Sequence, residues 1–148
     1  MTKNKIIENE LVHSFLLLTR ILNCEISYDD LIFKIGSSNE IIEEDLLYVA
    51  TEYFDLKTKK VSVKLEKLRN NPLPAIVKLK DDKYSLLFSI ENDKYKIYDF
   101  DNSKQILLEK DEFEKIYDGE IILVSKDVFA NDLICIINII IYKLINSN

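Results

Sequence analysis

The sequence predicts a single α+β domain, with N-terminal helices followed by an antiparallel sheet. Three observations predict it. The chain has 148 residues, 47% of them hydrophobic, with only two Gly and two Pro, which is the length and composition of one ordered domain with few breaks. Apolar residues recur at helical spacing through the first third. After that the period shortens to two, in brief β-rich runs separated by polar turns.

The first element rests on Leu11, Phe15, Leu18 and Leu22, spaced i, i+4, i+7 and i+11, with Ile7 one turn earlier. This stripe predicts an amphipathic helix over roughly residues 8 to 22. Ser27 reads as an N-cap with Asp29 and Asp30 in the first turn, opening a short helix through Phe33. After Gly36 the signal repeats. Ser38 and Asn39 precede Glu40, Glu43 and Glu44 and an apolar set at Ile42, Leu46, Val49, Ala50 and Tyr53, so a third helix should run to about Phe54. The runs LPAIVKL (73–79), KYSLLFSI (83–90), YKIYDF (95–100) and QILL (105–108) are divided by KDD, ENDK and DNSK, the pattern of an antiparallel meander. DEFEKIY then reads as a helical segment closed by an αL cap at Asp118-Gly119, and EIILVS (120–125) as a buried strand. No repeat, linker or low-complexity stretch interrupts this order.

Composition removes several functions. With 26 acidic against 20 basic residues the formal charge is −6, the wrong sign for a broad nucleic-acid footprint, so no nucleic acid is expected as a partner. The only glycines, Gly36 and Gly119, belong to no phosphate-binding loop, which argues against nucleotide binding by this chain. Cys24 and Cys135 are far apart in sequence and have no local partner, so neither a disulfide framework nor a zinc cluster is expected, and a reducing compartment fits. No cofactor and no metal follow from these residues. The N-terminal MTKNKIIENE turns acidic where a signal peptide would become apolar, so no secretory signal is expected. Leu133 to Ile145 (LICIINIIIYKLI) is apolar but shorter than the ~20 residues a membrane-spanning helix needs.

The reactive residue types have plain structural readings. His13, the sole histidine, lies inside the first helix beside Val12 and Ser14 and reads as structural rather than catalytic. Cys24 follows Asn23 at a helix end and reads as a small packed side chain rather than a nucleophile. The pairs Asp29-Asp30 and Glu43-Glu44 open helices, which capping and the helix dipole already explain.

Two segments go further. The LPA-apolar-V opening of the first run of the meander, and the pattern Phe113-x-x-x-Tyr117-x-Gly119-x-x-Ile122-Leu123, resemble the papain-like cysteine peptidase domain at the N-terminus of bacterial ABC exporters that process double-glycine leaders. The resemblance covers roughly residues 5 to 128 and implies a papain-like fold. In that family a Cys near the start of the first helix, a His on a central strand and an Asp on the next strand form the site, with an upstream Gln stabilising the oxyanion. A thiolate attacks, the imidazole activates it and returns the proton, and the carboxylate orients the ring. Carried onto this sequence, Glu10 stands at the Cys, Tyr84 at the His and Asp99 at the Asp, while the Gln falls near Asn4. A carboxylate cannot replace the thiolate, and a phenol with a pKa near 10 is a poor base at neutral pH. His13 and Cys24 are both on the first helical segment and do not stand in for the pair.

The resemblance is therefore to the inactive, toxin-exporter branch of the family, the peptidase-like domains of type I secretion ABC exporters for RTX-type toxins and other large proteins. It implies a domain over 1–128 that binds the unfolded secreted polypeptide without cutting it. The partners it implies are the membrane and nucleotide-binding domains of the exporter, and the place the cytoplasmic face of the bacterial inner membrane. Glu10, Tyr84 and Asp99 become vestigial catalytic positions and candidate substrate-binding residues. Tyr84 can stack on and hydrogen-bond to an extended chain, or simply cover one face of a strand. Asp99 can serve the fold, and Glu10 the helix dipole. Residues 129–148 form an apolar tail that either leads toward a membrane domain or docks as a terminal helix. Two other readings stay open: an active divergent cysteine peptidase, and a stand-alone protein-binding module.

Overall fold

The computed structural model describes residues 9–36, 41–126 and 130–147. Among the described residues three helices precede a six-stranded antiparallel sheet, in the order expected. Helix α1 spans Glu10–Ile21, and the Asn9 side chain caps it by accepting from the Val12 N–H at 3.1 Å. The helix buries Leu11, Val12, Phe15 and Leu18 against the sheet. Helix α2, Tyr28–Ile35, is capped as expected by Ser27, whose hydroxyl accepts from the Asp30 N–H at 3.1 Å, and it runs past Phe33 to end at Gly36 with φ 102°.

Helix α3, Glu43–Phe54, starts later than its sequence signal suggests. Its N-cap is Ile42, with no side-chain cap, and the expected cap at Ser38 and Asn39 lies outside the described residues. Its first turn, Glu43, Glu44 and Asp45, carries the dipole-complementing charge alone. Asp55 ends the helix in the left-handed conformation and turns the chain straight into a strand.

That strand, β1 (Leu56–Ser62), has no counterpart in the expectations drawn from sequence. Its residues, LKTKKVS, neither alternate cleanly nor form an apolar run, because β1 is an edge strand with only Leu56 fully buried. A short 3₁₀ helix, Leu65–Asn70, follows and buries Leu65 and Leu68. The meander is then β2 (Ala75–Leu79), β3 (Lys83–Glu91), β4 (Lys94–Asp99) and β5 (Lys104–Glu109). At the β3–β4 turn Asn92 and Asp93 both have positive φ, the signature of a two-residue hairpin turn matched to strand twist.

Helix α4, Lys110–Ile116, leads directly into β6, Tyr117–Lys126. The αL cap expected at Asp118-Gly119 is therefore corrected: Tyr117 caps α4 in an extended conformation, and Gly119 lies inside β6 with φ 86°. The pairing of β6 with β2 slips there, from Val77 opposite Ile121 to Leu79 opposite Tyr117, and glycine tolerates the left-handed backbone of that bulge. The strand order is β1-β6-β2-β3-β4-β5, so the last strand returns to insert between the first and the meander.

The sheet separates two cores. On the helix side Phe15, Leu18, Leu31, Leu46 and Ala50 pack on Ile76, Leu86 and Ile122. On the other side Tyr95 stacks on Phe113 at 4.5 Å between ring centroids, Phe113 stacks on Tyr117 at 5.4 Å, and the Tyr117 hydroxyl donates to the Val63 carbonyl at 2.6 Å. Burial, followed by the nearby Glu120 charge, pushes the Tyr117 hydroxyl up to about 12, so it remains a donor at any physiological pH. The Phe113, Tyr117 and Gly119 pattern thus has a packing explanation: two rings filling the second core and one glycine in the bulge beside them.

The terminal apolar segment folds as helix α5, Ala130–Ile145. Its described side chains stay exposed, including Ile140 at 51% and Leu144 at 70%. Among the described residues no helix is long and apolar enough to cross a membrane.

Candidate functional site

Glu10 and Tyr84 face the same cleft, of about 570 Å³, between the start of α1, the start of α3 and the sheet. Each is placed by a local cause. Asn9 fixes where α1 begins and so holds Glu10 at its first residue. Tyr84 follows the β2–β3 turn and pairs with Lys78, with its ring toward the helix-side core. Glu43, the first residue of α3, closes the cleft from the third side.

The Tyr84 hydroxyl donates to Glu43 Oε2 across a gap of 41 residues in sequence. Lys60 of β1 then bridges two acids, with its Nζ 2.9 Å from Glu43 Oε1 and 3.2 Å from Glu120 Oε2. Burial opposes ionisation of Glu43, but hydrogen bonds from Tyr84 and Lys60 outweigh it and hold the carboxyl below its usual range. For Tyr84, burial comes first and the Glu43 carboxylate second, and both push the phenol well above its ordinary value. A phenol held neutral in this way is a donor, and no base at neutral pH. Glu10 is raised by burial, an effect eased by Lys83 and by the Tyr84 backbone N–H and reinforced by Asp101. Among the described residues the lining includes Glu10, Glu43, Glu44 and Asp82 against the single base Lys60, so the cleft they form is acidic.

Asp99 lies at the end of β4, where it and both other positions border a second, smaller cavity of about 130 Å³. Its carboxylate is engaged in the β4–β5 turn, accepting from Asn102 Nδ2 at 2.7 Å and from the Asp101 N–H at 3.1 Å. The Asn102 side chain, ahead of these backbone contacts, keeps its pKa below the ordinary carboxylate value. Tyr84 turns to Glu43, so Asp99 orients no ring there.

Neither Cys24 nor His13 lines the Glu10–Tyr84 cleft. Cys24 is a free thiol packed against the helix-side core, and His13 borders a separate cleft between α1, Tyr28 and Phe100. Asn4 lies outside the described residues, as does the side chain of Cys135. Among the described residues no group of three His, Cys, Asp or Glu side chains is placed to hold a metal ion.

Glu43, Lys60 and Glu120 escaped the sequence reading. A glutamate opening a helix is already explained by the dipole, and Lys60 sits on the strand whose pattern gave no signal. The spacing of Glu43 and Tyr84 carries no hint that they touch.

Residues 11–128 match the sequence pattern of the Peptidase C39 family. The chain is 28% identical over 116 residues to the Toxin RTX-I translocation ATP-binding protein of Actinobacillus pleuropneumoniae, an alignment covering 77% of this chain and 16% of that protein. It is 29% identical over 111 residues to the Alpha-hemolysin translocation ATP-binding protein HlyB of Proteus vulgaris, covering 74% and 16%. This chain therefore spans about a sixth of the length of those relatives. Its fold is similar to that of the N-terminal peptidase C39 like domain of the toxin secretion ATP-binding protein from Vibrio parahaemolyticus, with a TM-score of 0.71 at 24% identity over 80% of this chain and 98% of that one. It is also similar to a double glycine motif protease from an AMS/PCAT transporter, solved in complex with its leader peptide, with a TM-score of 0.70 at 16% identity over 81% and 85%. These two likenesses bear out the papain-like α+β fold.

Proposed function

Because the chain belongs to the Peptidase C39 family, we propose that it is a non-catalytic peptidase-like domain of a type I secretion ABC exporter, which holds the unfolded secreted polypeptide in the Glu10–Tyr84 cleft without cutting it. One observation carries this reading: the cleft holds Glu10 and Tyr84 at the positions matched to nucleophile and base, and among the described residues its wall contains neither cysteine nor histidine. The Tyr84–Glu43–Lys60 chain supports it further, since it engages the phenol as a donor and keeps it neutral.

An open, acidic and partly apolar cleft suits an extended polypeptide better than a folded one. Extended chain presents free N–H groups and alternate side chains, whereas a folded domain has already paired most of its own. The similarity to toxin translocation proteins supports an exporter setting, in which membrane and nucleotide-binding domains of the same machine are the partners and the domain works at the cytoplasmic face of the inner membrane.

The test is a titration of a labelled secreted polypeptide, once held unfolded in mild urea and once refolded, into the intact chain and into Tyr84→Ala. Preferential binding of the unfolded form, weakened by Tyr84→Ala, is the expected result. Equal affinity for both forms, or binding indifferent to Tyr84→Ala, would remove the cleft from the account.

A further inference from the structure

The two edges of the sheet are defended differently. Edge strand β1 exposes Lys57, Lys59 and Lys60, charges of the kind that keep a second strand from pairing there. The opposite edge is β5, KQILLE. From Gln105 to Glu109 it carries no lysine, glycine, proline or bulge, and the Leu107 side chain is 61% exposed.

The register fixes which backbone groups of β5 are free. The two-residue turn at Asn92-Asp93 makes Glu91 and Lys94 a hydrogen-bonded pair, so the next residue of β4, Tyr95, directs its backbone groups the other way, to Leu108 of β5. Alternation then turns Leu108, Ile106 and Lys104 toward β4 and leaves the N–H and C=O groups of Gln105 and Leu107 facing outward. Glu109 follows the same rule: its N–H lies on the outward row and is bonded to its own Glu112 Oε1 at 3.1 Å. Among the described residues no other element makes a backbone hydrogen bond to Gln105 or Leu107. This is an unpaired, partly apolar strand edge, the kind of surface that takes another strand.

We propose that β5 pairs antiparallel with β5 of a second copy of this chain, about a two-fold axis at Leu107, so that two sheets continue as one. In this register Leu107 meets Leu107, Ile106 meets Leu108 on the other face, and Gln105 meets Glu109, an amide against a carboxylate. No like charges stand opposite each other from Gln105 to Glu109. An axis at Ile106 would instead set Lys104 against Leu108 and Gln105 against Leu107, so the sequence favours the first. The contact uses the same edge of both copies and leaves only the lysine-bearing β1 edges outside, so it closes at two. None of the residues lining the Glu10–Tyr84 cleft lies on β5, so the pairing does not occupy that cleft.

The intact chain is followed by sedimentation equilibrium from ~1 μM to ~1 mM in about 0.15 M salt, which screens the charge of −6 on each copy. A monomer–dimer equilibrium with a Kd of ~10 to 500 μM is expected, the weak range of a contact made by one short strand pair. Leu107→Lys, on an exposed side chain, sets two lysines face to face and should weaken the dimer at least about tenfold. Gln105→Lys, which meets Glu109 twice per dimer, should tighten it several-fold, and Gln105→Glu should loosen it as much. In hydrogen exchange the Gln105 and Leu107 amides should gain protection as concentration rises. A chain that stays monomeric to ~1 mM, self-association indifferent to Leu107→Lys as a contact through α5 would be, equal dimerisation of Gln105→Lys and Gln105→Glu, or protection of β5 that appears only on adding an unfolded polypeptide would each overturn the proposal.

Discussion

The two faces of the sheet have kept different things. On the side away from the helices, Tyr95, Phe113 and Tyr117 form a continuous aromatic stack, anchored by one hydrogen bond to Val63 and fitted around the Gly119 bulge. On the helix side, at the mouth of the sheet, acids and Lys60 surround Tyr84. The first region holds the fold by shape, so few replacements are tolerated. The second is partly open to water, so its charged side chains can change while the same backbone stands. The papain-like frame and the side chains of its cleft are thus separable, because different interactions maintain them.

The comparison breaks most visibly at Phe113. Its side chain is fully buried between two rings, and Phe113→Ala should cost ~3 to 5 kcal/mol by denaturant unfolding, enough to threaten a domain of this size. Tyr117→Phe keeps the ring but orphans the Val63 carbonyl, with an expected loss of ~1 to 3 kcal/mol by the same measurement.

Changes at the cleft should be smaller. A double-mutant cycle with Glu43→Gln and Tyr84→Phe should return a coupling of ~1 kcal/mol, since the pair is half-buried and Lys60 still compensates the acid. The sign of its pH dependence is fixed by the lowered pKa of Glu43. The unfolded chain takes up this proton first, so the contribution is present above the ordinary glutamate pKa of 4.5 and is lost as pH falls through the lower folded value. Glu10 behaves oppositely. Its pKa is raised in the folded state, so ionisation costs stability as pH rises from 4.5 through the folded value. Glu10→Gln should raise the melting temperature slightly at pH 7, with the gain vanishing below pH ~4. If Glu10→Gln destabilises at neutral pH, the acid serves the helix dipole more than burial penalises it.

The smallest effect belongs to α5. Its described aliphatic side chains are exposed, so a chain ending at Lys126 should keep its melting temperature and gain solubility. A loss of several kcal/mol, at ~1.5 to 3 kcal/mol per buried aliphatic side chain, would mean that the helix docks instead.

Legibility in the sequence followed the same division. Helices α1 and α2, and the Ser27 cap of α2, are legible because periodicity and capping are local signals. The meander could be read because polar turns delimit it. Strand β1 could not: an edge strand carrying three lysines has no apolar pattern to show. The Gly119 bulge reads as a helix cap in the sequence because both need the same left-handed backbone, and only the partner strand distinguishes them. Family resemblance points to Glu10 and Tyr84 but says nothing of their surroundings. The Tyr84–Glu43–Lys60–Glu120 chain joins four elements far apart in sequence, and nothing in the local residue pattern announces a contact made only by the fold.

The central claim is that this frame binds without cutting, and mass spectrometry of a double-glycine leader peptide incubated with the purified chain tests it most directly. The peptide is expected to stay intact at neutral pH, because Tyr84 is a neutral donor to Glu43 and among the described residues no thiol lines the cleft. Cleavage after the glycine pair that persists once contaminating proteases are removed, and disappears in Cys24→Ala, would contradict it and make this chain a divergent cysteine peptidase.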